Sequence, residues 1–282
     1  MKQKWKKRVA EILLILGGIS LVGYPWISDW CYRVHTQSSV AVYAAEAKEQ
    51  SDVKAQLMQD AIAYNTWLSE AHITLSDPFS GAQIVEKPEL PYTSQLALDD
   101  SGILAFIEIP KIHVYLPVYH TTSAEVLQWG AGHMEGTALP VGGNRPVISA
   151  HSGMNRAQMF SDLSDLETGD LFLIHVLDET LTYQVCDMAV ILPEDTQALA
   201  PEKDRDLVSL VTCTPYGINT HRLVVTGERT DETVSEHKTE DRVTSTWKHA
   251  YLKALLLGFG IAGGAGVMIR ILSRHRRKVR EQ

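Results

Sequence analysis

From residue 103 to residue 228 the chain alternates short apolar runs with Gly, Pro and Asn turns, and this punctuation limits its fold more than any other feature. The runs are Ile103 to Ile109, His113 to Tyr119, Arg145 to Ala150, Leu171 to Val176, Leu181 to Ala189, Leu207 to Thr212 and Arg222 to Thr226. Each is short, rich in Val, Ile, Leu or Thr, and bounded by turn formers, which is the pattern of a strand. Seven or eight such strands in about 125 residues predict a mainly β domain, closed into a barrel or folded as a sandwich.

Upstream the pattern is different. Residues 32 to 72 are rich in Ala, Gln, Glu and Lys, with Val40, Tyr43, Ala44, Ala47, Leu57, Ile62 and Leu68 at near-helical spacing. One or two helices are expected there. Ser76-Asp77-Pro78-Phe79-Ser80-Gly81 and Lys87-Pro88-Glu89-Leu90-Pro91 then break the periodicity, giving a linker that ends near Ala97.

Both ends carry an apolar segment with a basic outer flank. Val9 to Ile27, interrupted only by Glu11, follows Lys2, Lys4, Lys6, Lys7 and Arg8. Ala250 to Leu272, apolar apart from Lys253 and Arg270, precedes Arg274, Arg276, Arg277, Lys278 and Arg280. About 20 helical residues cross a hydrocarbon layer of ~30 Å. Basic residues at both outer ends place both termini in the cytoplasm and the interior of the chain outside the cell membrane. Tyr24-Pro25-Trp26 offers no small-residue cleavage site, so the first segment reads as an uncleaved anchor. The expected organisation is a basic N-terminus and anchor over 1–31, a helical region and linker over 32–97, the β domain over 98–229, a polar tether over 230–247, a second transmembrane helix over 248–272 and a basic tail over 273–282.

The net charge of -8 sits mainly in the interior, which argues against nucleic acid as a partner. Cysteines at 31, 186 and 213 show no metal-knuckle spacing, and an odd number leaves at least one thiol free. Cys186, within a strand pattern, reads as a small buried residue; Cys31, beside the first apolar segment, reads as a lipidation site or as inert. His113, His120, His133 and His175 lack ligand spacing, and Gly142-Gly143-Asn144 is a turn rather than a phosphate loop. No metal and no cofactor are expected.

Cys213 closes the run Leu207 to Thr212 and precedes Thr214-Pro215-Tyr216-Gly217, so it lies at a strand end opening into a turn. His151 holds the equivalent place after Pro146 to Ala150, and Arg222 opens the strand after the turn. Two strands joined by that turn run antiparallel and can set Cys213 beside Arg222. A thiol becomes a nucleophile when an imidazole shares its proton, and a guanidinium can donate to an oxygen that gains charge. The same residues also fit a bland reading, with Cys213 a small core residue and His151 a structural one. His221 adjoins Arg222 and, by strand alternation, points away from it.

The string Leu210-Val-Thr-Cys213-Thr-Pro-Tyr-Gly-Ile-Asn-Thr-His-Arg222-Leu-Val-Val-Thr-Gly227 resembles the active-site signature of the sortases, in particular the class C, pilin-assembling group. Two further blocks agree in order: Gly130 to Gly143 followed by Val147-Ile-Ser-Ala-His151-Ser-Gly153, and Met159 to Asp170. The resemblance spans roughly residues 75 to 228. It implies a sortase-like closed β-barrel of about eight strands behind N-terminal helices. It also implies a cysteine transpeptidase in which Cys213 attacks the threonine carbonyl of an LPXTG-like sorting motif, His151 moves the protons and Arg222 stabilises the oxyanion. The acceptor would be a lysine amine of a pilin subunit, giving polymerised pili. Asp77-Pro78-Phe79 resembles the lid that covers the groove in pilin sortases; as bare sequence it is an ordinary turn. An accessory or housekeeping sortase that anchors surface proteins to cell-wall peptide is the alternative job, and a non-enzymatic, membrane-tethered peptide-binding module the alternative class.

Overall fold

Eight strands close into one barrel in the order β1-β2-β3-β4-β7-β8-β6-β5. They are β1 (Ile103–Ile109), β2 (Val114–His120), β3 (Ala131–His133), β4 (Val147–Ser149), β5 (Leu171–Val176), β6 (Glu179–Ile191), β7 (Leu207–Thr214) and β8 (His221–Arg229). This computed structural model describes residues 2–49, 51–71, 73–80, 89–154 and 157–232. The chain divides into two compact units, and the barrel belongs to the one spanning Pro25–Val243.

Barrel rather than sandwich follows from how the short strands pair. β2 runs parallel to β3, and β4 runs parallel to β7, while every other neighbouring pair is antiparallel. A closed ring leaves no unpaired edge, which matters for strands as short as β3 and β4. The interior is filled by Leu104, Ile107, Ile109, Ile148, Phe172, Ile174, Val208, Leu210 and Val225. β1 is buried on both faces because the helices cover its outer side: Val40 and Tyr43 pack against Ile103 and Phe106. Arg145 ties strands and loop together from a buried position, donating to Ser209 on β7, Thr226 on β8 and the Ala200 carbonyl.

The helical region forms α1 (Lys2–Glu49) and α2 (Ser51–Glu70). α1 presents Asp29, Tyr32, Thr36, Val40, Tyr43 and Ala47 as its buried residues, a spacing of three and four that marks one face. Tyr32 donates to the Trp129 carbonyl (2.8 Å) and Tyr43 to that of Leu104 (3.0 Å). The expected strands are all present with shifted ends. His113 has φ 53° and ends the turn before β2 instead of opening the strand. The Arg145 to Ala150 run is regular only over β4, and β6 extends from Glu179 to Ile191. β3 falls in a glycine-rich stretch with no strand pattern. The second apolar segment, the tether and the tail lie outside the described residues. The first apolar segment lies within α1 with most of its side chains outside the described set, and among the fully described residues no helix is long and apolar enough to cross a membrane.

Candidate active site

The register of the barrel assembles the site. β7 and β8 pair antiparallel with Cys213 directly opposite Arg222 and Thr214 opposite His221. β4 lies on the other side of β7, parallel to it, with Ser149 beside Val211. Two residues on in each chain come His151 and Cys213, so the parallel pairing carries both to the same barrel end. Side-chain bonds hold that extension after β4 ends: Thr212 Oγ1 donates to the Ala150 carbonyl (2.8 Å), and Ser152 Oγ donates to the Cys213 carbonyl (2.6 Å). The backbone N–H of Phe160 donates to the His151 carbonyl (3.1 Å). Ser152 carried no signal of its own in the sequence.

Cys213 and Thr214 are half-buried, whereas the six residues of β7 before them are fully buried. The thiol is thus reachable yet held by strand geometry. Burial pushes the Cys213 thiol above its ordinary pKa, Arg222 draws it down, and Asp77 pushes it up again. With a raised pKa the resting group is the neutral thiol, and removal of the carboxylate or rehydration shifts it toward thiolate.

Arg222 is the most tightly held side chain of the site. Its Nε and one terminal nitrogen donate to the two carboxylate oxygens of Asp77, each at 2.8 Å, a bidentate pair whose side chains are 10% and 16% exposed. Its other terminal nitrogen donates to the carbonyls of Asn219 (3.2 Å) and His221 (3.1 Å). The Asp77 hydrogen bonds raise the Arg222 pKa, so its charge is fixed across the working range. The Phe79 ring lies between the other two groups, 5.0 Å from the Arg222 guanidinium carbon and 5.9 Å from the His151 ring centre. Pro78 is buried between them in sequence. The residues singled out in the linker therefore reach the site across a gap of 145 positions.

The segment carrying Asp77 is held at its base as well. Leu75 and Phe79 pack on a cluster of Met134, Val147, Leu199, Val211 and Val224. Thr196, in the β6–β7 loop, donates to the Leu75 carbonyl (3.1 Å). Thr196 carried no signal in the sequence because its partner is a backbone atom 121 positions away. His221 is half-exposed and shares a contact with Thr220 Oγ1 (2.9 Å). Cys186 is not fully buried: it lies at the irregularity between Val185 and Asp187 in β6, half-exposed, near Arg205. Cys31 is exposed on α1.

An eight-stranded barrel with a cysteine, a histidine and an arginine gathered at one end by strand register is the arrangement of a cysteine acyl-transfer enzyme. The family model described as "Sortase domain" matches residues 107–230. Sortase C-1 from Actinomyces oris is 41% identical, with 64% of this chain covering 99% of that one at a TM-score of 0.59. The pilus-related sortase C of Group B Streptococcus is 39% identical over 66% of this chain and 94% of that one, TM-score 0.58. A lid mutant of sortase A from Corynebacterium diphtheriae is also 39% identical, over 66% of this chain and 98% of that one, TM-score 0.58. The chain belongs to the sortase family of transpeptidases, and its structural neighbours include class C sortases.

Proposed function

We propose that this sortase joins a protein bearing an LPXTG-like motif to a lysine amine of a pilin subunit, through a thioacyl intermediate on Cys213. The observation that carries this reading is the pairing of Cys213 with Arg222 across β7 and β8, with His151 brought alongside by the parallel β4–β7 register. The Cys213 thiolate attacks the threonine carbonyl carbon, and Arg222 donates to the oxygen as it becomes negative. The C–N bond then breaks while His151 hands a proton to the departing amine. In the second half the acceptor amine attacks the thioester, its proton passes to His151, and the C–S bond breaks to regenerate the thiolate. The products are an amide bond and the original enzyme.

The segment Asp77-Pro78-Phe79 acts as a lid. Closed, it occupies the Arg222 donors that the oxyanion requires, raises the thiol pKa and covers the His151 ring. Opening exchanges the Asp77 carboxylate for the substrate oxygen. A pilin as acceptor is supported by this lid and by the pilus-related neighbour at 39% identity. The apolar segments Val9 to Ile27 and Ala250 to Leu272, with their basic flanks, support attachment to the cell membrane with the barrel on the outer side.

The test is intact mass of the purified chain after incubation with an LPXTG-type peptide. An adduct of the peptide's N-terminal part is expected, absent in Cys213→Ala and larger in Asp77→Ala/Phe79→Ala. Discharge onto a lysine-bearing pilin peptide, in preference to a cell-wall stem peptide, supports pilus assembly; the reverse preference supports an anchoring sortase. A folded chain that forms no adduct with any sorting-motif peptide would sink the acyl-transfer reading.

A further inference from the structure

The direction of α1 relative to the barrel fixes which end of the barrel meets the chain's entry point. The site lies where β4 and β7 end, since His151 follows β4 and Cys213 closes β7. β3 is antiparallel to β4, pairing Gly132 with Ser149, so the residues before β3, including Trp129, lie at that same end. β2 is parallel to β3 and β1 antiparallel to β2, which puts the start of β1, with Leu104, at the opposite end. β5 is antiparallel to β1, so Leu177, just past β5, is at the opposite end too.

α1 touches both ends in order. Its Tyr32 reaches the Trp129 carbonyl at the catalytic end; its Tyr43 reaches the Leu104 carbonyl and accepts from the Leu177 N–H (2.9 Å) at the far end. The helix therefore runs from the catalytic end toward the far end, and Pro25 to Cys31 continue past Tyr32 on the catalytic side. Seven residues back to Pro25 add about 10 Å. α1 from Trp26 to Val34 and its barrel neighbour expose large apolar and aromatic side chains: Trp26 38%, Ile27 61%, Trp30 64%, Val34 48% and Trp129 50%. Ile27, Trp30 and Val34 recur at three and four residues, on the face of α1 opposite its buried stripe. His35 on α1 and Trp129 stand in ring contact, 5.7 Å between centres, joining the helix and barrel parts of the patch.

We infer that this patch rests in the headgroup layer of the bilayer, with Trp26, Trp30 and Trp129 as interfacial anchors, so that the catalytic end of the barrel faces the membrane. The inference rests on the reading of Val9 to Ile27 as an anchor. Indole rings combine an apolar body with an N–H and favour that layer. The patch begins where the apolar, basic-flanked segment ends, so the chain delivers it to the interface by covalent connection. A lipid surface is the occupant that this continuity and the tryptophan content both select.

The test uses the full chain in phosphatidylcholine/phosphatidylglycerol vesicles whose acyl chains carry bromine close to the headgroups. Chains retaining only Trp129 or only Trp67, with phenylalanine at the other tryptophans, report the position of each. Bromolipid is expected to quench Trp129 emission at least two-fold and to leave Trp67, on α2, unchanged. If the multiple replacement unfolds the chain, Trp129→Phe in the otherwise intact protein is expected to remove part of the quenching and Trp67→Phe none. Unquenched Trp129 in chains that float with the vesicles overturns the placement and leaves the anchor standing; unquenched Trp129 in a concentration-dependent dimer assigns the patch to a second copy instead. Chains that do not float overturn the anchor and the placement together. Acyl transfer to soluble peptides is read separately, and it does not depend on either outcome.

Discussion

Cys213 sits between a guanidinium that favours its anion and a carboxylate that opposes it, in a half-buried place that opposes it further. The sign of each substitution follows. Asp77→Ala removes a group that raises the thiol pKa and frees Arg222, so the thiolate fraction at neutral pH rises. Iodoacetamide alkylation of Cys213 should accelerate, with the midpoint of its pH profile moving to lower pH; an unchanged midpoint would show that Asp77 does not act on the thiol. Arg222→Ala works the other way. It removes the group that lowers the thiol pKa and the proposed oxyanion donor together, so the midpoint should move to higher pH. The rate of acyl-enzyme formation should fall by about 10²–10³-fold, as for loss of an oxyanion donor.

At the scale of elements, the segment proposed as a lid is a loop held by one ion pair at its tip and by one hydrogen bond and apolar packing at its base. The tip pair is charge-assisted, bidentate and poorly exposed, so it is the stronger restraint. The base bond from Thr196 to Leu75 is worth about 1 kcal/mol. Thr196→Val should therefore open the lid roughly five-fold more often, read as faster hydrogen exchange at the Ser80 amide, which donates to the Asp77 carbonyl (2.9 Å). Exchange at wild-type rate would mean that the β6–β7 loop does not govern the lid. The linker motif was visible in the sequence as Asp-Pro-Phe at a break in helical periodicity. Thr196 was not, because the bond exists only when residues 75 and 196 meet.

Stability of the whole barrel carries a pH dependence from its interior. His133 is fully buried, its Nε2–H donating to the Ala138 carbonyl (2.7 Å) and its Nδ1 accepting from the Tyr92 hydroxyl (2.8 Å). Burial lowers its pKa from 6.5 to about 4, and His120, also buried, is lowered by the same cause. The folded state thus binds fewer protons than the unfolded chain between those values. The contribution of His133 is complete above pH 6.5 and is lost as pH falls toward 4, about 3 kcal/mol at full size. Urea unfolding of the chain at pH 7.5 and at pH 4.5 should show a lower midpoint in acid with an unchanged slope; equal midpoints would contradict it. Neither histidine was distinguishable in sequence from a surface one, since burial here depends on Tyr92 closing over β3 from the linker.

The sequence by itself determined the strand-rich domain, the helices before it, the linker break at Asp77-Pro78-Phe79, and the positions of Cys213 and Arg222 on either side of a hairpin turn. These are local facts: side-chain alternation, turn chemistry and a register set by one short connection. Tertiary structure alone decided the barrel over the sandwich, because closure depends on the β1–β5 and β4–β7 pairs between strands distant in sequence. It also decided that His151 stands with Cys213, since a parallel pairing has no short connection from which register can be read. Finally it decided that Asp77 meets Arg222. A salt bridge between residues 145 positions apart is written in the packing of the elements that carry them, not in the spacing of the letters.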